Sequence, residues 1–257
     1  MKLAMVGRLS KCVLLAYRTP AESVRHLLPP PIELVTRDGF AFWNVVACRV
    51  EKMRQIGLPK FIGISYHHVA YRLYVRAATA DGRCADGLFF VRSEVDSAPV
   101  AWGGNVFTDF RFNRARIELE TSPAHVELRV SSGIGQTLLR AREADDASRD
   151  EPDFLKYRPL ALSCDRHMRR LKLARVVRDE SAWHESPLDV TEARWPLFER
   201  LGQTDLLLES ATRVAPLDYR WELGETLPLV APPARGSTSP PASASFPGSC
   251  STTSGRG

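Results

Sequence analysis

The sequence predicts a mainly β (α+β) protein, an antiparallel β-barrel or cone with a few short outer helices. The chain has 257 residues, of which 44% are hydrophobic and 25% charged, as in an ordinary globular domain. Apolar and polar residues alternate with the period of two that a strand imposes. About nine or ten strands are expected, with no βαβ alternation and no internal repeat.

The N-terminal part is predicted to hold a strand, a short helix and a hairpin. Residues 11–17 form a short apolar run that is typical of a buried strand. A helix is predicted to start at Thr19 and Pro20, since Thr19 can cap it and Pro20 needs no N–H in the first turn. A hairpin then follows over residues 32–50. Its second strand is apolar nearly throughout, which is typical of a strand covered on both faces.

Residues 65–96 are predicted to form a long central hairpin with its turn at residues 80–83. A loop of odd length pairs apolar positions of the two strands, namely Val75 with Phe89, Leu73 with Val91 and Val69 with Val95. The other face of the hairpin then gathers the polar residues His68, Arg72, Tyr74, Arg92, Glu94 and Asp96. One apolar face and one charged, aromatic face are typical of a barrel wall that lines a polar cavity.

The second half is predicted to add strands and a tail. The expected strands are residues 107–119, 125–130, 154–164, 172–177, 205–210 and 219–229, with a short helix over 192–201. Trp102-Gly103-Gly104-Asn105 is interpreted as a tight turn, with a backbone nest for an anion as the alternative. Residues 1–230 are expected to be one domain. Residues 231–257 carry five prolines and seven serines and no acidic residue, so a disordered tail is predicted.

Composition argues against several classes of partner. The net charge is +5, but 35 basic residues are spread along the chain and matched by 30 acidic ones, so nucleic-acid binding is not expected. No run approaches the ~18 apolar residues of a membrane span. Five scattered cysteines without a CxxC predict reduced thiols in the cytoplasm and no metal site. No cofactor is expected, and the sequence leaves a homo-oligomer open.

Several short pieces resemble, in order and spacing, a known family. They include Cys12-Val13-Leu14, Leu27-Leu28-Pro29, Ile32-Glu33-Leu34, residues 42–49, Arg72-Leu73-Tyr74-Val75, Gly87-Leu88-Phe89-Phe90, Ala115-Arg116 and Phe154-Leu155. Over residues 10–230 the chain resembles the YqjF-like domain-of-unknown-function family of the acetoacetate decarboxylase-like superfamily. The resemblance implies a central antiparallel β-barrel or cone with a polar cavity.

The departures from that superfamily concern its chemistry. Its decarboxylases form a Schiff base through a lysine on a strand after the central hairpin, which requires an amine of lowered pKa. The lysines of this chain are at positions 2, 11, 52, 60, 156 and 172, and none falls between residues 61 and 155. His68 stands where a glutamate is expected, and Ala70 where an asparagine is common. Schiff-base catalysis is therefore not expected.

Two hypotheses from different classes remain. In the first, the cavity binds a small organic acid or similar anion through Arg72 and Arg92, with Tyr74 and Trp102 as further ligand-binding residues. In the second, a divergent lyase- or hydrolase-like enzyme uses His68 as general base, oriented by Glu94 or Asp96. The alternative to both is a structural Arg–Glu network and a hydrogen-bonded wall histidine. The sequence does not decide whether the protein is an enzyme.

Overall fold

The computed structural model describes residues 4–30, 32–78, 84–122, 124–144, 158–165, 167 and 170–228. The predicted turn at residues 80–83 and the predicted tail lie outside these ranges. The described strands are β1 (Ala4–Pro20), β2 (Ile32–Leu34), β3 (Thr36–Arg37), β4 (Phe40–Gln55), β5 (Ile64–Ala78), β6 (Cys84–Val95), β7 (Phe112–Thr121), β8 (His125–Ser132), β9 (Gly135–Glu143), β10 (Leu160–Cys164), β11 (Arg170–Arg178), β12 (Glu185–Arg194), β13 (Leu207–Val214) and β14 (Leu217–Pro228). The described helices are α1 (Ala21–Arg25), α2 (Ala98–Phe107) and α3 (Pro196–Arg200).

The strands form one large sheet in a ring-like arrangement. β1 pairs with β4 along one edge and with β14 and β13 along the other. The path β1–β4–β5–β6–β10–β11–β14 therefore returns to β1. The predicted fold class, mainly β with a few short helices, is confirmed. Most pairings are antiparallel, but β6 pairs in parallel with β7 and with β10, so the prediction of no βαβ unit is wrong for β6–α2–β7.

A wall made of β1, β4, β5 and β6 separates two regions of the molecule. Alternate residues of β5, such as Val69, Tyr71 and Leu73, enter a large hydrophobic cluster on one side, which we call the packed core. Even-numbered residues of β5, such as Tyr66 and Ala70, belong to a second cluster on the other side of the wall. The pleat of each strand sends neighbouring side chains to opposite faces, so one wall serves both regions.

The central hairpin is confirmed, but its predicted register is wrong. Close to the turn, Leu73 lies opposite Phe89 instead of the predicted Val91, and Ala78 lies opposite Cys84. Five residues separate Ala78 from Cys84, so the predicted odd length of the loop is right. Between Tyr71 and Arg72 the register shifts by one residue of β6. Such a β-bulge leaves one residue unpaired and turns the following side chains over. Beyond it Tyr71 lies opposite Arg92.

Other local predictions also differ from the structure. The segment that contains Trp102 and two glycines is helix α2 rather than a turn or an anion nest. β9 is not among the predicted strands, although its buried residues Thr137, Leu139 and Ala141 alternate with more exposed ones. Thr19 does not cap α1. Its hydroxyl instead donates to Gln203 Oε1 at 2.9 Å, which ties the start of α1 to the segment after α3.

Candidate functional site

The candidate site is a cavity of about 620 Å³ on the side of the wall opposite the packed core. Strands β1, β4, β5, β6, β11 and β14 and helix α2 contribute its lining. Apolar residues make up most of that lining, and aromatic rings form one part of it. Phe90 stacks on Phe110 with ring centroids 4.1 Å apart, and Trp221 lies 5.4 Å from Phe110. The prediction of a polar cavity is therefore correct only for a small part of its surface.

Strand register brings three polar side chains together in one part of the cavity. Asn44 of β4 lies directly opposite Arg72 of β5. Two residues further along β5, Tyr74 also faces the cavity, and its hydroxyl accepts a hydrogen bond from Asn44 Nδ2 at 2.9 Å. Arg72 in turn donates through Nη2 to Asn44 Oδ1. The amide of Asn44 thus links the guanidinium to the phenol and fixes the direction in which both point.

Arg72 carries a charge into the cavity that this chain leaves without a carboxylate partner. Its Nε is buried and has no hydrogen-bond partner among the described residues. The guanidinium lies 5.5 Å from the ring centroid of Phe90. Burial lowers the pKa of Arg72. The nearby polar groups of Tyr74, Cys12 and Cys48 oppose this shift in part. An arginine stays protonated even so, and the part of the cavity around Arg72 is therefore positive.

His68 lies on the same face of β5 as Arg72, four residues earlier, and is neutral. Only 9% of its surface is exposed, and its ring lies 5.3 Å from that of Phe112. Burial and, to a smaller extent, the charge of Arg72 lower the pKa of His68 to about 3. Its Nε2 is buried without a hydrogen-bond partner in the described part of the chain. A neutral imidazole can donate or accept one hydrogen bond there, depending on its tautomer.

The bulge removes three predicted residues from the cavity. Arg92, Glu94 and Asp96 face the same side of the wall as Tyr71, Val69 and His67. Glu94 is fully buried there and lies 3.2 Å from Arg92 Nη2. Asp96 contacts His67 Nδ1 at 2.7 Å instead of orienting His68. The predicted grouping of these acids with His68 and Arg72 is wrong, because a period of two does not continue through a bulge.

Trp102 also lies away from the cavity lining. Its side chain is 73% exposed on α2. The neighbouring Gly103 and Gly104 do line the cavity, since they occupy the inner side of that helix. Of the six predicted site residues, the structure thus brings His68, Arg72 and Tyr74 together and separates them from Arg92, Glu94 and Trp102.

Sequence reasoning missed Asn44 and the two cysteines beside it. Cys12 and Cys48 are register partners on β1 and β4, Cys48 is in turn the partner of His68, and all three line the cavity. Burial raises the pKa of the Cys48 thiol to about 12. One signal was available, since Asn44 is the single polar side chain in the apolar run Phe40–Cys48. A polar residue in such a run marks a position that needs a buried partner.

The described residues meet neither the requirements of a metal site nor those of a membrane-spanning helix. Within the described ranges, no three His, Cys, Asp or Glu side chains are grouped so that they could hold a metal ion. None of the helices in the described part is long and apolar enough to cross a membrane.

Residues 7–208 match DUF2071, a family described as an uncharacterized conserved protein. The chain belongs to this family. No curated protein matches it significantly. The expectation that the chain belongs to a family of unknown function is confirmed.

Solved structures similar to this DUF2071 protein include acetoacetate decarboxylases, an acetoacetate decarboxylase-like enzyme and the enzyme MppR. An acetoacetate decarboxylase-like enzyme from Sphingomonas wittichii RW1 has a TM-score of 0.60 at 14% identity, covering 89% of this chain and 92% of its own. The enduracididine biosynthesis enzyme MppR, complexed with pyruvate, has a TM-score of 0.57 at 16% identity, with coverages of 90% and 91%. An acetoacetate decarboxylase from Legionella pneumophila has a TM-score of 0.58 at 13% identity, with coverages of 88% and 87%. At these identities the likeness shows the shared fold.

None of the lysines that the structure describes in this DUF2071 protein lines the cavity. Lys11 Nζ donates to the carbonyl oxygen of Leu119 at 2.9 Å, and Lys172 pairs with Asp109 at 2.6 Å. Lys52 and Lys60 are exposed at the surface. Lys2 and Lys156 lie outside the described residues.

Proposed function

We propose that the protein binds an organic acid or similar small anion in this cavity, with the carboxylate on Arg72. The observation that carries the proposal is a guanidinium that lines a cavity and has no carboxylate partner in the described chain. Removing a charge from water costs several kcal/mol unless a counter-charge compensates. A bound carboxylate supplies that charge, and its two oxygens fit the guanidinium fork.

The surrounding groups favour an anion with a defined orientation. Asn44 accepts a hydrogen bond from Nη2 of the guanidinium, and Nε has no partner in the described chain. His68 Nε2 is the second buried polar atom of the lining that lacks a partner. A polar group of the ligand further from its carboxylate can therefore hydrogen-bond to His68. Tyr74 supports the site indirectly, since its hydroxyl accepts from Asn44.

The solved structures support the chemical class of the ligand. Their names include acetoacetate decarboxylase and an enzyme complexed with pyruvate, and both acetoacetate and pyruvate are small carboxylates. In this chain the proposal is binding without a Schiff base, because the described lysines are engaged elsewhere or exposed at the surface. Treatment with acetoacetate and borohydride should leave the mass of the protein unchanged, and a stoichiometric adduct on any lysine would refute this part.

Binding is favoured over acid–base catalysis by His68. A general base works best when its pKa is near the working pH, whereas burial and Arg72 hold the pKa of His68 at about 3. Glu94 faces the packed core and Asp96 contacts His67. Neither acid can therefore raise the proton affinity of His68 or orient its ring.

A cytoplasmic location is part of the proposal. Cys12, Cys48 and Cys164 are free, buried thiols. Cys12 and Cys48 lie directly opposite each other on paired strands and still form no disulfide. Unbonded neighbouring cysteines are typical of reducing compartments.

A thermal-shift screen tests the anion site. Wild type, Arg72→Met and Arg76→Met are compared with acetate, pyruvate, acetoacetate, benzoate and octanoate at millimolar concentration. Arg76 is the matched control, because it lies on the same strand but pairs with Asp86 at 2.7 Å outside the cavity lining. We expect at least one acid to raise the Tm of wild type and Arg76→Met but not of Arg72→Met. Equal shifts in all three proteins, or no shift with any acid, would contradict the proposal.

A further inference from the structure

The cavity runs from a buried end at Tyr74 to an exposed end at Ile64. Along β5 the side chains that face it run from Tyr74 and Arg72, through His68 and Tyr66, to Ile64. Tyr74 is 1% exposed, whereas Ile64 is 40% exposed, so the cavity opens at the Ile64 end. Arg72 and Ile64 are eight residues apart on one strand, which places their Cα atoms up to about 26 Å from each other. The cavity is thus long, and Arg72 lies towards its buried end, while Arg54, Arg158, Arg178 and Glu185 also contribute to the lining.

Between the two ends the lining is hydrophobic. Strands on several sides contribute Leu9, Leu14, Val46, Met53, Phe110 and Trp221. The polar groups near the opening already have partners. Arg54 donates to the carbonyl oxygens of Leu58 and Lys52, and Trp183 donates to Glu185. Of the buried polar side-chain atoms without a partner in the described residues, the two in the lining are Arg72 Nε and His68 Nε2.

The size of the cavity exceeds what a short acid fills. At the roughly 30 Å³ that one water molecule occupies in the liquid, a volume of about 620 Å³ has room for about twenty non-hydrogen atoms. Pyruvate has six. A three- or four-carbon acid on Arg72 would leave most of the apolar lining facing water, which is unfavourable in proportion to the area.

Exposed apolar side chains continue the lining at the opening. Leu58, Ile62 and Phe107 are 45%, 46% and 54% exposed, and all three line the cavity together with Ile64. Clustered apolar side chains at the surface of a soluble domain are typical of a ligand-binding groove or interaction site. Here they form an apolar rim at the exposed end of the cavity.

We infer that the ligand is an amphiphilic carboxylate, with an unbranched or aryl-substituted hydrocarbon chain that extends from Arg72 to the opening at Ile62 and Ile64. This inference rests on the proposed function and specifies its ligand. The acid group neutralises Arg72, and the chain covers the apolar lining. The cavity volume limits the chain to about a dozen and a half carbons, since about twenty non-hydrogen atoms fit in all.

Calorimetric titration with a homologous series tests the chain. The probes are straight-chain carboxylates from acetate to dodecanoate, each below its micelle concentration, and 1-octanol as the uncharged partner of octanoate. For wild type we expect affinity to rise two- to fourfold with each added methylene, as transfer of a methylene from water predicts. We expect octanol to bind at least tenfold more weakly than octanoate, and Arg72→Met to abolish this difference.

Two neighbouring variants locate the chain. Ile62 lines the cavity, whereas Phe61 is 81% exposed and lies outside the lining. Because both side chains are exposed, Ile62→Asp and Phe61→Asp should fold alike. Ile62→Asp should weaken decanoate binding about tenfold and leave butanoate unchanged, since a charge at the opening opposes burial of the chain only. Phe61→Asp should change neither.

The outcomes separate the two proposals. If all chain lengths bind equally well and Arg72→Met still abolishes binding, the chain inference is wrong and the anion site stands. If octanol binds as tightly as octanoate in wild type, the carboxylate contributes nothing, and both the anion site and the inference that rests on it are wrong. Equal effects of Ile62→Asp on butanoate and decanoate would contradict the placement of the chain.

Discussion

Arg72 and Arg92 lie on paired strands of one wall and on its opposite faces. Arg92 enters the packed core side, where it pairs with the fully buried Glu94 at 3.2 Å. Arg72 enters the cavity, where it contacts an amide, a ring and no described carboxylate. The comparison shows how two similar side chains differ in role. A charge that the chain itself neutralises belongs to the fold, and a charge that it leaves open in a cavity belongs to a ligand.

The largest expected effect is on the paired side. Arg92→Met should lower the free energy of unfolding by about 3–5 kcal/mol, because it leaves Glu94 buried without its counter-charge. Chemical denaturation at neutral pH measures this change. A loss below about 1 kcal/mol would mean that the ion pair contributes no more than an exposed one, and the contrast between the two faces would fail.

The next effect is a pH dependence on the cavity side. The pKa of His68 is about 3 in the folded protein and 6.5 in an unpaired histidine. Between these values the unfolded chain binds the proton that the folded protein excludes, so stability falls as pH falls from 6.5 towards 3. From pH 6 to pH 4 wild type should lose about 2 kcal/mol more than His68→Asn. Parallel stability curves for the two proteins would show that His68 is protonated normally in the fold.

The smallest effect should come from the unpaired arginine. Arg72→Met should change the free energy of unfolding of the ligand-free protein by no more than about 1 kcal/mol, because the lost hydrogen bond to Asn44 is offset by relief of a buried charge. The same denaturation experiment, with Arg92→Met as its counterpart, measures it. Destabilisation as large as that of Arg92→Met would make Arg72 a structural residue.

The period of two was sufficient to predict part of this wall. It placed His68, Arg72 and Tyr74 on one face, and all three line the cavity. It failed beyond Tyr71, because the bulge depends on how β6 meets β5 and β7 and has no signature in the residues themselves. The closure of the sheet was also out of reach, since it pairs β1 with β14, more than 200 positions away, and β6 with β10, more than 70 positions away.

Asn44 shows a different limit. Its partners Arg72 and Tyr74 lie about 30 positions away, so the sequence alone gives no reason to join them. The apolar lining was missed for a related reason. The aromatic residues Phe90, Phe110 and Trp221 look like ordinary core positions until the fold leaves an open volume beside them.

A crystal structure with bound octanoate tests the central claim most directly. We expect a carboxylate oxygen about 2.8 Å from the guanidinium of Arg72, on its Nε edge, with the alkyl chain pointing towards Ile64. Octanoate bound with its carboxylate at the opening, or a carboxylate of the chain itself occupying Arg72, would contradict the account.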